Sequence, residues 1–178
     1  FYNNTTGVLN MRDTMVAFLY NSSAPFVLID SARSILDSVT FFGSFSFTNA
    51  VSGNYYIAVR HRNSLETWSK AGGENMTRVV LKNYDFNTAS SQAFGNNMIL
   101  KSGRYCDYSG DVNQEGNIDL ADLVTVNNSS SVFTTGYVAA DVNGDNFVDL
   151  SDLVITNNNA SNFRLQPRWP DHIFQLVF

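Results

Sequence analysis

Cysteine occurs once in the 178 residues, at Cys106, which excludes an internal disulfide. Acidic residues follow it closely, and nearby negative charge raises a thiol pKa, so Cys106 reads as buried packing and not as a reactive thiolate. Histidine occurs twice, at His61 and His172, and no serine stands in a G-x-S-x-G setting, so nothing points to an enzyme. His61, in "VRHRN", reads as a structural side chain on a strand. "RHR" is too short a basic patch for nucleic acid, and the net charge of -5 opposes one. No apolar run reaches the length of about 18 residues that spans a bilayer, and no signal-peptide pattern is present. Charged residues make up only 15%, while asparagine occurs 22 times, the neutral amide-rich surface expected of an extracellular or cell-surface protein. The chain opens at Phe1, not Met, so a processed piece of a longer precursor is expected.

Basic residues are missing from one long stretch: none lies between Arg104 and Arg164. Two twelve-residue windows there, "DVNQEGNIDLAD" from Asp111 and "DVNGDNFVDLSD" from Asp141, hold eight of the 16 acidic residues. The windows therefore carry -8 and the rest of the chain +3. Packed together without counter-ions, such carboxylates repel and raise one another's pKa values.

The spacing identifies the expected counter-ion. Oxygen-bearing side chains fall at positions 1, 3, 5, 9 and 12: Asp111, Asn113, Glu115, Asp119 and Asp122, then Asp141, Asn143, Asp145, Asp149 and Asp152. Position 7, Asn117 or Phe147, would give its backbone carbonyl, and position 8 is apolar, Ile118 or Val148. Roughly 6 to 8 oxygens at about 2.3 to 2.6 Å suit Ca2+, whereas Mg2+ asks for a stricter octahedron and keeps its waters. Two calcium ions are expected, one per window. Glu115 is longer than the usual residue at position 5, and Asn146 replaces the turn glycine at position 6, where Asn tolerates a left-handed backbone.

The pair "GDVNQEGNIDLADLVTVNN" and "ADVNGDNFVDLSDLVITNN", with ten identities at an offset of 30, resembles the duplicated calcium-loop and helix repeat of dockerin modules. Each loop runs into a short helix with apolar residues at i, i+3 and i+4: Leu120, Leu123 and Val124, then Leu150, Leu153 and Val154. Helices of about two turns are unstable alone, so ion binding and folding are expected as one event. Cellulosomal dockerins use polar pairs at positions 10 and 11 to recognise cohesins; here those positions hold Leu120 with Ala121 and Leu150 with Ser151. The two leucines read as core residues of the repeat.

Residues 1–104 alternate apolar and polar positions over short runs: "TMVAFLY", "PFVLID", "SVTFFGSFSF", "YYIAVRH", "RVVLKNYDF" and "NMILKSG". A short helical turn at 31–36 is the one interruption allowed, and the pattern predicts an antiparallel β-sandwich. "GSFSFTNAVSGNYYIAVRH" resembles a hairpin of prealbumin-like and collagen-adhesin B-type domains, in which Gly53 would set the turn and Tyr55, Ile57 and Val59 would face one side. The self-formed Lys-Asn crosslink of such domains starts from a first-strand lysine, and neither "FYNN" nor "NMRDTMVAFLY" has one. The fold class expected is mainly β, a sandwich over 1–104 followed by a small helical calcium-binding domain over 105–166 and a β-prone tail over 167–178. Residues 1 to about 166 are together similar to modules near the C-termini of large secreted bacterial surface proteins, which implies a non-catalytic role. The short link "GRYCDYSG", with Tyr105 and Tyr108, predicts that the two domains pack as one body.

Three functions stay open. The first is a calcium-stabilised subunit of an extracellular polymer, with copies joined when "IFQLVF" (173–178) adds as a strand to a neighbour's sheet edge near "FYNN". The second is a tether binding a cohesin-like surface receptor, as dockerins do. The third is a fragment of a surface hydrolase.

Overall fold

The computed structural model describes residues 13–37, 40–164 and 166–167. The expectations for "FYNN" and for residues 168–178 lie outside them.

Five strands form one antiparallel sheet: β1 (Thr14–Asn21), β2 (Leu28–Ile35), β3 (Gly53–Arg60), β4 (Thr67–Trp68) and β5 (Glu74–Met76). The order is β2-β1-β3-β4, with β5 also paired to β3. With β6 (Ile99–Lys101) paired antiparallel to β7 (Arg104–Cys106), and two helices among the described residues, the fold is mainly β, as the alternation predicts.

β3 is central because both its faces are apolar. Tyr55 and Ile57 pack with Leu19 and Ala50 on one face, and Val59 joins them, as the period of two requires. Tyr56 and Ala58 point the other way, onto Trp68, with Phe18, Tyr20, Phe26 and Phe94 around them. Trp68 stacks on Tyr20 with ring centroids 4.3 Å apart. Large side chains buried this way contribute about 1.5 to 3 kcal/mol each.

Four local expectations are corrected. Gly53 does not form a turn; it opens β3 and pairs with Met76. Residues 31–35 are strand, not a helical turn, because β2 pairs with β1 from Thr14↔Ile35 to Tyr20↔Leu28. Of the run 38–47, residues 40–47 join no ladder: Asp37 folds them back by accepting from Thr40 N at 2.7 Å, and Asp37 N donates to Phe42 O at 2.9 Å. Their alternation survives, with Phe45 and Phe47 half-buried and Ser44 and Ser46 exposed, while Ser44 N reaches β2 through Ser34 Oγ at 3.2 Å. The run "RVVLKNYDF" is not a strand: it opens in a turn closed by Val80 N donating to Thr77 O at 3.1 Å, and Val79, Val80 and Leu81 are exposed. Strand propensity measures fit to a half-buried pleat, and Val79, Val80 and Leu81 have no such pleat beneath them.

Cys106 is half-buried on β7, not fully buried, and burial together with Asp107 raises its thiol pKa. Beyond it the chain threads along residues 63–65: Leu65 N donates to Tyr108 O at 2.9 Å and Gly110 N to Asn63 O at 2.7 Å. The helices α1 (Leu120–Ser131) and α2 (Leu150–Asn159) follow. Between them lies a core of Val112, Val126, Ala140, Val142 and Val148, with Leu153 and Ile155 against it. No helix among the described residues is long and apolar enough to cross a membrane.

Candidate metal centre

Both acidic windows fold into the same loop. Position 1 is buried, and its Oδ2 accepts from the amide of position 6: Gly116 N to Asp111 at 3.0 Å, Asn146 N to Asp141 at 3.1 Å. Position 12 is also buried, and its Oδ1 accepts from positions 2 and 3: Val112 N at 2.9 Å and Asn113 N at 3.2 Å for Asp122, Val142 N at 2.7 Å and Asn143 N at 2.9 Å for Asp152. The other position-12 oxygen accepts the position-9 amide, while Asp119 and Asp149 accept from Ala121 N and Ser151 N, so each loop ends in a capping box. Position 6 is left-handed in both, Gly116 at φ 93° and Asn146 at φ 77°, the conformation Asn was expected to tolerate.

Each helix returns the chain to the opposite loop. After α1, Gly136 N donates to Asn146 O and Val148 N to Thr134 O; after α2, Arg164 N donates to Gly116 O and Ile118 N to Asn162 O. The repeat is thus pseudo-twofold, and neither loop closes without the other's helix.

Position 12 also fixes the helices' rotation. Its carboxylate must point into the loop, so the residue one turn on, Val126 or Thr156, is buried beneath it. Residues two places away lie about 200° round a helix of 3.6 residues per turn. Positions 10 and 14 therefore face outward: Leu120 is 72% exposed, Leu150 68%, and Val124 and Val154 48% each. This corrects the expectation that Leu120 and Leu150 are core. The exposed stripe adjoins a shallow cleft lined by Leu123, Leu150, Leu153, Val154 and Asn157.

The ligand atoms are unevenly gathered. In loop I, carboxylate oxygens of Glu115, Asp119 and Asp122 lie within 4.8 Å of one another. Asp111 Oδ1 is buried with no hydrogen-bond partner among the described residues, an oxygen free to take a cation. Burial, with the charge of Asp122 added, pushes Asp111 up to about 6. In loop II, burial raises Asp141 and Asp152, with Asp152 adding to the first and Asp145 to the second. Asp145 Oδ2 accepts Asn143 Nδ2 at 3.1 Å and Asp149 accepts Ser151 Oγ at 2.6 Å, so these side chains are engaged with neighbours. Asn113 and Asn143 each accept the amide of position 5, at 2.9 and 2.8 Å. Asn117 and Phe147, at position 7, bridge to Phe163 and Thr135.

The "VRHRN" segment reaches the repeat, a connection its spacing did not suggest. Arg62 Nε donates to Val138 O at 3.2 Å, its guanidinium pairs with Asp13, and it lies over the Tyr137 ring at 4.2 Å. His61 is buried just past β3 with Asp13 on Nε2 at 2.7 Å and Asn63 on Nδ1 at 2.9 Å. The signal that could have found it is an uninterrupted R-H-R-N at a strand end in a chain short of basic residues. Buried Glu66 makes a further tie, to Arg60 at 2.9 Å and to Arg164 at 3.2 Å.

Two solved structures share this architecture over most of the chain. One chain belongs to an N-terminal interface mutant of a type II cohesin-X-dockerin complex from Acetivibrio cellulolyticus, with TM-score 0.51 and 18% identity over 92% of this chain and 90% of that one. The other belongs to a C-terminal interface mutant of the same complex, with TM-score 0.50 and the same identity and coverage. The likeness is one of fold. No protein-family model matches the sequence, and no curated protein does.

Proposed function

We propose that this chain is a non-catalytic protein-protein interaction module that works outside the cell, folded around two calcium ions in a dockerin-like repeat and docking a cohesin-like partner through the outer face of α1 and α2. The observation that carries this is the outward stripe of Leu120, Val124, Leu150 and Val154, repeated by the pseudo-twofold. Exposed apolar side chains at matching places on paired helices serve recognition better than stability. The proteins with a similar fold are themselves parts of a cohesin-X-dockerin complex.

The donor set fits calcium: hard oxygens only, with one buried carboxylate oxygen unpartnered in loop I. Asp111, Asn113, Glu115, Asp119 and Asp122 would hold one ion with the carbonyl of Asn117, and Asp141, Asn143, Asp145, Asp149 and Asp152 the other with that of Phe147. Bound calcium would supply the positive charge that lets the raised aspartates ionise.

The test mixes the purified chain with the type II cohesin of Acetivibrio cellulolyticus and follows complex formation by sedimentation velocity, with calcium and with chelator. A calcium-dependent complex lost in Leu120→Glu/Leu150→Glu is expected. A chain that binds calcium and forms polymers by itself, with those leucines immaterial, would show that it assembles with copies of itself and not through this face.

A further inference from the structure

The backbone carbonyl at position 1 of each loop finds its donor in a different way. In loop I, Asp111 O accepts from Gln114 Nε2 at 2.6 Å, a side chain of position 4 in the same loop. Loop II has Gly144 at position 4, with no side chain to donate. There Asp141 O accepts from Asn63 Nδ2 at 2.8 Å and from Arg62 Nη2 at 3.2 Å, both in the segment just past β3.

Asn63 is well placed to do this. It is buried, its amide oxygen meets His61 Nδ1 at 2.9 Å, and its nitrogen also reaches Ala139 O at 3.1 Å. Loop I touches the same strand end, through Gln114 Nε2 and Ser64 O at 3.2 Å, but its position-1 carbonyl has its donor without help.

We propose that Asn63, with Arg62 beside it, is a positioning residue for loop II, supplying from the turn after β3 the hydrogen bond that loop I makes within itself. The inference rests on the calcium reading above. Asn63 is the nearer of the two donors to the Asp141 carbonyl, so its loss leaves that buried carbonyl only the longer bond from Arg62, and Asp141 carries that carbonyl and a first ligand on one Cα. Calcium affinity at loop II therefore depends on the turn after β3, while affinity at loop I does not depend on Asn63.

The expected effect is site-resolved and reversible. The amides of Gly116 and Asn146 occupy position 6 of their loops, and NMR can follow both in one calcium titration of the full chain. Asn63→Ala should raise the half-saturation concentration at Asn146 about fivefold or more, in the range of a typical coupling, and leave Gly116 within about twofold. Adding Gly144→Gln should restore Asn146. At Gly144, φ is 79° and a Cβ would meet nothing within 4 Å, while Gln114 already holds φ 61° at the matching place. Equal weakening at both amides, no weakening, or failure of Gly144→Gln to restore the site each overturns the assignment. Should Asn63→Ala not fold, Asn63→Ser, which keeps a hydroxyl but cannot span to Asp141 O, makes the same comparison. If neither wild-type amide responds to calcium, the calcium reading falls and this assignment with it; two responding amides left unshifted in the variant remove this assignment alone.

Discussion

Asp13 Oδ2 lies 2.7 Å from His61 Nε2, tying the residue before β1 to the turn after β3. Burial alone would raise the Asp13 pKa, but hydrogen bonds from His61 and Tyr137 and the charges of His61 and Arg62 outweigh it and hold the carboxyl at about 2. A depressed carboxylate pKa stabilises the fold fully above the ordinary aspartate value of 3.8, and that contribution is lost as pH falls from there through about 2. Asp13→Asn should therefore cost about 2 kcal/mol at pH 7 and much less at pH 2. Urea unfolding at the two pH values measures it, and an equal cost at both would contradict the linkage.

Calcium removal should unfold the repeat first. Asp111, Asp122, Asp141 and Asp152 are buried carboxylates that repel one another without a counter-ion, and each loop is closed by the segment after the other helix. Circular dichroism at 222 nm should fall on chelation and recover with calcium. Calorimetry should count two sites in the wild type and one in Asp141→Ala/Asp145→Ala. An unchanged spectrum and melting temperature after chelation would refute the coupling of metal and fold.

Leu120→Glu/Leu150→Glu should change stability by less than about 0.5 kcal/mol, as exposed positions do, while Val126→Ala, fully buried beneath Asp122, should cost about 2 kcal/mol. Thermal denaturation in saturating calcium separates the two. A large loss from the leucine pair would mean that these side chains are core after all.

Gly110→Ala should be far more harmful than Gly136→Ala. Both glycines have positive φ, 127° and 97°, but a Cβ at 110 would meet Ile118 Cγ2 at 3.1 Å and Thr156 Cα at 3.2 Å, while one at 136 meets nothing within 4 Å. Left-handed strain of about 1 to 2 kcal/mol is common to both, so the difference in melting temperature isolates the clash against α2. Equal losses would remove the steric account.

Features that depend on spacing within a few residues are legible before any folding is known. The oxygen pattern of the two windows, the left-handed Asn146, the helix starts at Asp119 and Asp149 and the two-faced alternation of β3 are local, because each follows from backbone geometry over one turn or one pleat. Which apolar positions face water emerges only on packing. Leu120 and Leu150 have the composition of core and lie on the surface, since the inward carboxylates of Asp122 and Asp152 set the rotation of each helix. Packing also settles which apolar runs find a strand partner: residues 40–47 alternate as a strand does, yet Asp37 turns them out of the ladder. Least legible is the tie from Asn63 to Asp141, 78 residues apart, because a hydrogen bond across that separation exists only once the sheet and the loops have docked.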